Sequence, residues 1–460
     1  MAGNPLKTAG IISVLALRVK LGFLTRHAED EYDSAVMLLD ENSLFSRDSP
    51  VWRNVMPDLR YGSGSVLKVD LKPETFLGKF DSPQAVCLGD PAAAMAAAAA
   101  DPLDFPPLVK AMVPGDCVVI ALDQGIPRLA AIVDALIETV IEAGVQPRDI
   151  TLLFTHQAAE SADRLPGELK ARFASQVHFH VHDPADRAQL GYLAASEQGR
   201  AIYMNRLLID ADLVLPVGCV RASGTTGYNG INGCLFPAFS DCATQDHFRR
   251  RWLTHRNGST SRNAAREADE VGWLLGTIFT VQIIPGGDGQ VLQVLAGDIE
   301  HVAQRAQRIC HAAWKLAATE RADLVVASVD KLVGSESWFA IGRALATATQ
   351  LVSDQGAIAL CTDLHVAPGP SIKELGQTDD PARAMQRIRS RCDVDALPAV
   401  QLAQALNQAR VYLVSQLDET TVEDLGMVHV DDPADLSRLA KGRESCLLVG
   451  NAQHVIPVVD

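Results

Sequence analysis

The chain has 460 residues, a formal net charge of −15, 48% hydrophobic and 21% charged residues. That acidity argues against binding to a phosphate backbone, which needs clustered Lys and Arg, and the length asks for two or three domains at roughly 100–200 residues each. Nine cysteines, an odd number with no Cys-x-x-Cys pair, form neither a disulfide framework nor a zinc knuckle and suit a reducing cytoplasmic setting.

In chain order, residues 1–65 read as an N-terminal extension. Residues 9–17 are apolar and strand-like, but Arg18 and Lys20 follow without a small-residue cleavage site, so a signal peptide is not expected. No stretch reaches the roughly 18–20 apolar residues needed to cross a bilayer. Gly62-Ser63-Gly64 reads as a hinge. Asp90-Pro91 opens a helix whose body is nearly all alanine, the strongest helix former. From Cys117 onward strands and helices alternate: strand 117–122, helix 128–143, strand 150–154, helix 168–174, strand 177–181. Such alternation predicts a parallel sheet covered by helices, with ligands beyond the carboxyl ends of its strands. Strand 213–217 leads into a glycine-rich loop. Residues 277–284 and 291–295 flank a turn at 285–289 as a hairpin, and 299–319 reads as one long helix.

A second α/β unit begins near Ala322, with strand 324–328, helix 338–352, a helix stop at Asp354-Gln355-Gly356, strand 357–361, helix 400–408 and strand 411–414. The last strand, 454–458, is expected to pair back onto it. The fold expectation is therefore α/β with two domains, residues 66–320 and 321–460, each a mostly parallel sheet flanked by helices, with a cleft between them.

The loop after strand 213–217 holds Gly218, Gly224, Gly227, Gly230 and Gly233. Glycine has no Cβ and reaches positive φ, so this backbone can approach a ligand closely. A phosphate-cradling loop would add a cation, yet Arg221 is the one basic residue from 221 to 237. The expected ligand is then a neutral polar small molecule rather than a carboxylate, held by backbone N–H groups, Asn229 and Asn232. The competing explanation is that the glycines serve only to let the two domains pack. His178, His180 and His182 alternate along one strand and share a face, either as a metal set or as its wetter side. His156, just past strand 150–154, reads as a general acid/base or as part of a capping turn. Asp123, just past strand 117–122, reads as a catalytic residue or as the N-cap of the next helix. Arg249-Arg250-Arg251 reads as a solvated helix face.

Several segments, taken together, resemble the nickel-pincer lactate racemase family. Pro114-Gly115-Asp116-Cys117-Val118-Val119-Ile120 resembles its P-G-D-x-V-V-I strand. Asp123-Gln124-Gly125-Ile126-Pro127 resembles D-x-T-R-P without the arginine, and Thr155-His156-Gln157 resembles T-H-R with its arginine changed. His182-Asp183 and Ala296-Gly297-Asp298 also match. Gly227-Tyr228-Asn229-Gly230-Ile231-Asn232-Gly233 resembles G-Y-S-G-G-x-K, with Gly233 where the family carries the lysine that anchors the pincer nucleotide. Ala222-Ser223 stands at the family's Pro-His, which removes one of two acid/base histidines, and Trp338–Gly342 lacks the Gln and Lys of Y-Q-x-x-K.

The resemblance implies catalytic roles for His156 and Asp123 and cofactor contacts from Gly227, Tyr228, Gly230 and Gly233. It also implies a nickel ligand at His247 within Thr244-Gln245-Asp246-His247. It implies a small-molecule ligand and leaves a homo-oligomer open. A covalently held nickel-pincer nucleotide is expected to be absent. Three functions follow: a diverged racemase/epimerase-type isomerase, a non-catalytic small-molecule-binding or regulatory relative, and an active 2-hydroxy-acid racemase anchored elsewhere, at Lys331 or Lys373.

Overall fold

The apolar runs form two six-stranded sheets in a computed structural model, which describes residues 57–81, 83, 87–196, 199–221, 231–254, 258–330, 338–377 and 380–459. The described residues belong to the compact unit Val51–Asp460. The apolar run 9–17 and the loop residues 222–230 lie outside them.

The first sheet runs Val291–Gly297, Thr280–Pro285, Leu213–Cys219, Val118–Leu122, Ile150–Phe154, His178–Val181 across its width. All neighbours pair in parallel except the hairpin Thr280–Pro285/Val291–Gly297 at one edge. A parallel sheet is covered on both faces, which explains why Val118–Leu122 is buried at every position. Val118, Ile120 and Leu122 face the helices Pro91–Ala100 and Leu129–Glu142, whereas Val119 and Ala121 face the opposite layer with Phe236 and Phe239.

The second sheet, entirely parallel, runs Val428–His429, Arg410–Val414, Val352–Cys361, Ala322–Ser328, Cys446–Val449, Phe76–Phe80. Its outermost strand therefore comes from near the start of the described chain. A division at residues 65 and 320 does not follow the sheets: Phe76–Phe80 hydrogen-bonds alongside Cys446–Val449. Residue 65 also falls inside the hairpin Asp58–Tyr61/Ser65–Lys68, whose Leu59 and Leu67 pack on the second sheet.

Gly62-Ser63-Gly64 is the turn of that hairpin rather than a free hinge, because the Ser63 N–H donates to the Asp363 carboxylate. The helix read at 299–319 ends at Trp314, and Lys315–Ala318 is a strand paired in parallel with Ile456–Val459. The C-terminal strand thus forms its own two-stranded sheet instead of joining the second sheet. Trp314 explains the break. It is fully buried, and its indole N–H donates to the Pro285 carbonyl, which pins the helix end to the first sheet. Helix 168–174 is replaced by Ala159–Glu168, with Pro166 in its last turn, and Ala171–Ala174. Asp354-Gln355-Gly356 lies inside the strand Val352–Cys361, where the register shifts, and is not a helix stop. Cys117, expected in a buried run, is exposed at the mouth of its strand, while Cys219 and Cys361 are buried as expected. No helix among the described residues is long and apolar enough to cross a membrane.

Gly297 connects the first sheet to the helix Ile299–Trp314. Its φ is +139°, and a Cβ there would lie 2.2 Å from the Leu103 carbonyl oxygen. Gly297→Ala is expected to lower the unfolding free energy by about 1–3 kcal/mol. Gly89→Ala, at a position with nothing within 4 Å, should change it by less than about 0.5 kcal/mol. Urea titration of the two variants checks the contrast.

Candidate functional site: a cationic cleft at the switch point of the first sheet

From Val118–Leu122 the chain builds the first sheet outward in one direction through Ile150–Phe154 and His178–Val181, then in the other through Leu213–Cys219 and Thr280–Pro285. The reversal falls between Val118–Leu122 and Leu213–Cys219, which pair in parallel with Leu122 opposite Val217. The loops leaving two such strands diverge and open a crevice past their carboxyl ends. Here that crevice is a cavity of about 220 Å³. Its floor is Asp123, Gln124, Thr155, Gln157 and Arg221, each just past a strand of the first sheet. Helix Cys242–Thr254 covers one side, and Phe339, Arg343, Val394 and Leu397 from the second half of the chain close the other.

Asp123 is not a helix N-cap. The helix that follows starts at Leu129, with Arg128 in the capping position. The Asp123 N–H donates to the Val217 carbonyl, clamping the two diverging strands. Its carboxylate accepts from the Arg221 guanidinium at 2.5 Å, with both side chains almost closed to solvent. Arg221 also donates to the Gln124 carbonyl. The arginine noted in the glycine loop is thus turned back onto Asp123, and its charge is cancelled locally.

The cavity walls carry polar atoms without partners among the described residues. The Thr155 hydroxyl, on a residue 2% exposed, has none. The Nε groups of Arg249 and Arg343 are likewise shut from solvent and unpaired. Arg249 is held by the Asp246 carboxylate through its other end. Arg343, on the helix Trp338–Leu351, forms no hydrogen bond or ion pair among the described residues. Burial, and next the field of Arg221, pull its guanidinium down to about 10, which leaves it charged at neutral pH. With Arg221 neutralised by Asp123 and Arg249 by Asp246, the cavity keeps, among the described residues, one uncompensated positive charge, that of Arg343.

The sequence-predicted residues divide. Asp123 and Gly233 line the cavity. His156 lies between two lining residues, Thr155 and Gln157, but its side chain is exposed at the rim. Gly227, Tyr228 and Gly230 lie outside the described residues. Asn232 does not face the cavity; its amide donates to Asp269 and ties the loop to the helix Gly258–Leu274. His247 is a correction. On helix Cys242–Thr254 the cavity takes Gln245, Phe248, Arg249, Trp252 and Leu253. At 100° per residue His247 stands about 200° round from Gln245, away from the cavity. Burial first, then Arg200, hold its imidazole below its usual range against the opposing pull of Glu267.

His178, His180 and His182 form no metal set. His178 is exposed, and His180 meets the Gln189 side-chain oxygen at 2.9 Å. His182, fully buried, donates from Nε2 to the Ser240 carbonyl and accepts at Nδ1 from the Asn205 amide. Its role is to brace the strand end. The one group of metal-ligand type among the described residues, Asp104, Asp298 and His301, lies elsewhere. Arg249, read as part of a solvated basic face, instead points into the cleft. The neutral-ligand expectation loses its premise, because the cations arrive from elements distant in sequence.

These observations frame three comparisons. The family described as the lactate racemase N-terminal domain matches residues 61–261. Over those residues, under half of its length, the chain is similar to the lactate racemase N-terminal domain. The apoprotein of lactate racemase from Thermoanaerobacterium thermosaccharolyticum shares its fold at a TM-score of 0.70 and 15% identity, covering 87% of this chain and 99% of that one. A Thermotoga maritima protein solved by structural genomics superposes at 0.61 and 14% identity, over 81% of this chain and 99% of its own. No curated protein matches the sequence.

The residues present do not fit a covalently held pincer nucleotide. Gly233 reaches the cavity but offers no side chain to acylate, and no lysine lines the cavity among the described residues. Lys373 is exposed on the helix Pro370–Gly376, away from the cavity, and Lys331 lies outside the described residues.

Beside Arg343 the imidazole of His454, 8% exposed and packed on the Trp314 ring at 5.1 Å, is driven down to about 3 by burial first, then by Arg343 and Arg221. Below pH 6.5 the unfolded chain takes up a proton that the folded chain refuses, so this group costs stability at about 1.4 kcal/mol per pH unit as the pH falls. Asp330 works oppositely: burial raises its carboxyl to about 7, so it gains stability over part of the same range. The two are separated by comparing variants rather than by reading the raw profile. Chemical unfolding at pH 7.0 and 5.5 should show a smaller acid-side loss for His454→Gln than for the parent chain, by about 1–2 kcal/mol.

Proposed function

We propose that this chain is a diverged relative of lactate racemase whose cleft binds a small, singly charged carboxylate on Arg343, without a pincer nucleotide bonded to Gly233. One observation carries the reading: three donors, Thr155 Oγ1, Arg249 Nε and Arg343 Nε, line the cavity with no partner among the described residues. Buried donors without acceptors cost about 1–3 kcal/mol each. An oxyanion satisfies several at once, and guanidinium groups match the geometry of a carboxylate. The single uncompensated charge favours a monoanion, since a second buried negative charge would itself be uncompensated.

Isomerisation through two opposed bases is not supported by these residues, because the resemblance sets Ser223 at one histidine position and no lysine lines the cleft among the described residues. A second reading, residual proton-transfer chemistry, rests on His156 alone. Its place at the rim, beside the unpartnered Thr155 hydroxyl, would let one imidazole exchange a proton with a bound acid.

Arg343→Met keeps most of the volume and removes the charge. It should weaken binding of small carboxylates by about 10–100-fold, as expected for losing a charged hydrogen bond. Calorimetry that finds unchanged affinity would remove the reading. Intact mass spectrometry of protein from cells that make the pincer cofactor should show no added nucleotide, and D- and L-lactate should not interconvert by polarimetry. An adduct would require a lysine outside the cavity lining, with Lys331 the first to replace.

A further inference from the structure

The donors, the floor residues Asp123, Gln124, Gln157 and Arg221, and Gln245 are polar, and a further part of the wall is apolar. Trp252 and Leu253 lie one turn on from Arg249 along helix Cys242–Thr254, and Phe339 lies one turn before Arg343 along helix Trp338–Leu351. Side chains four apart on a helix are neighbours on one face, so each arginine carries a large apolar residue beside it. Val394 and Leu397 continue this surface toward solvent, with Val394 45% exposed. Phe248 belongs to the same wall and is held edge-on to Phe236 at 5.0 Å.

An acid of three carbons would satisfy the donors and leave this apolar surface facing water. Apolar area gains about 25 cal/mol per Å² when covered. Aromatic walls prefer a ring that can lie flat or edge-on against them. The geometry points to an aromatic monocarboxylic acid as the occupant, its carboxylate on Arg343, Arg249 and Thr155 and its ring between Trp252 and Phe339. This rests on the carboxylate reading above and goes beyond it by assigning the ligand's other half. Gln124, Gln157 and Gln245 on the floor and side of the cavity can take a further polar substituent, since each amide both donates and accepts.

The test is a matched series titrated into the full chain by calorimetry: acetate, lactate, cyclohexanecarboxylate, phenylacetate and phenylacetamide. Phenylacetate is expected to bind at least tenfold more tightly than acetate or lactate and more tightly than the neutral amide. Trp252→Ala and Phe339→Ala should abolish the preference for phenylacetate over acetate, with circular dichroism confirming that each variant is folded. Equal affinity for acetate and phenylacetate would overturn the aromatic assignment and leave the carboxylate site standing. Equal affinity for phenylacetate and phenylacetamide would overturn the carboxylate site instead. No binding by any member would overturn both. Tighter binding of cyclohexanecarboxylate than of phenylacetate would replace the ring-stacking wall with a merely apolar one and refute the aromatic class.

Discussion

The ion pair of Asp123 and Arg221 is the contact on which the cleft depends. It closes the point where the first sheet reverses direction, joining the loops after Val118–Leu122 and Leu213–Cys219. Diverging loops at such a point would otherwise open onto solvent. The pair also decides the electrostatics. Left free, Arg221 would give the cavity a second positive charge and invite a dianion. Neutralised, it becomes structural, and the positive charge left in the cavity among the described residues is that of Arg343 on the facing half of the chain.

The fold is retained at a TM-score of 0.70 to a lactate racemase apoprotein despite 15% identity. Gly233 lines the cavity with backbone only. What fills the cleft now is a set of cations from other elements: Arg249 from the helix over the crevice and Arg343 from the second half. Charge at a point depends on where side chains converge and not on which strand bears them.

The second half of the chain serves more than coverage. Its sheet takes its outermost strand from Phe76–Phe80, and Lys315–Ala318 pairs with the C-terminal strand. The first brings an early strand into the second sheet, and the second pairs the segment after helix Ile299–Trp314 with the C-terminal strand. Arg343 is presented from a helix whose distance to the floor of the cavity is held by the fold. Its unpartnered Nε and the buried His454 beside it carry the energetic cost of that placement. Strain of this kind, in unpaired donors and a suppressed imidazole, is stored where a ligand can relieve it.

Most of the first sheet was legible in the sequence. Its central strands are buried, so they read as short, unbroken apolar runs, and Asp123, His156 and His182 read as lying at its carboxyl ends because a parallel sheet has only one such edge. The helix break at Trp314, the hairpin turn at Gly62 and the strand at 76–80 were not legible, since each is decided by a partner far along the chain. The site divided in the same way. Motif order located the cleft, but the orientation of His247 depends on which face of its helix is turned inward, and two residues of misplacement turn a ligand away. Arg343 belonged to no motif. It became visible only when the second half of the chain was folded against the first, because an unpaired charge is a property of its surroundings and a sequence lists residues without them.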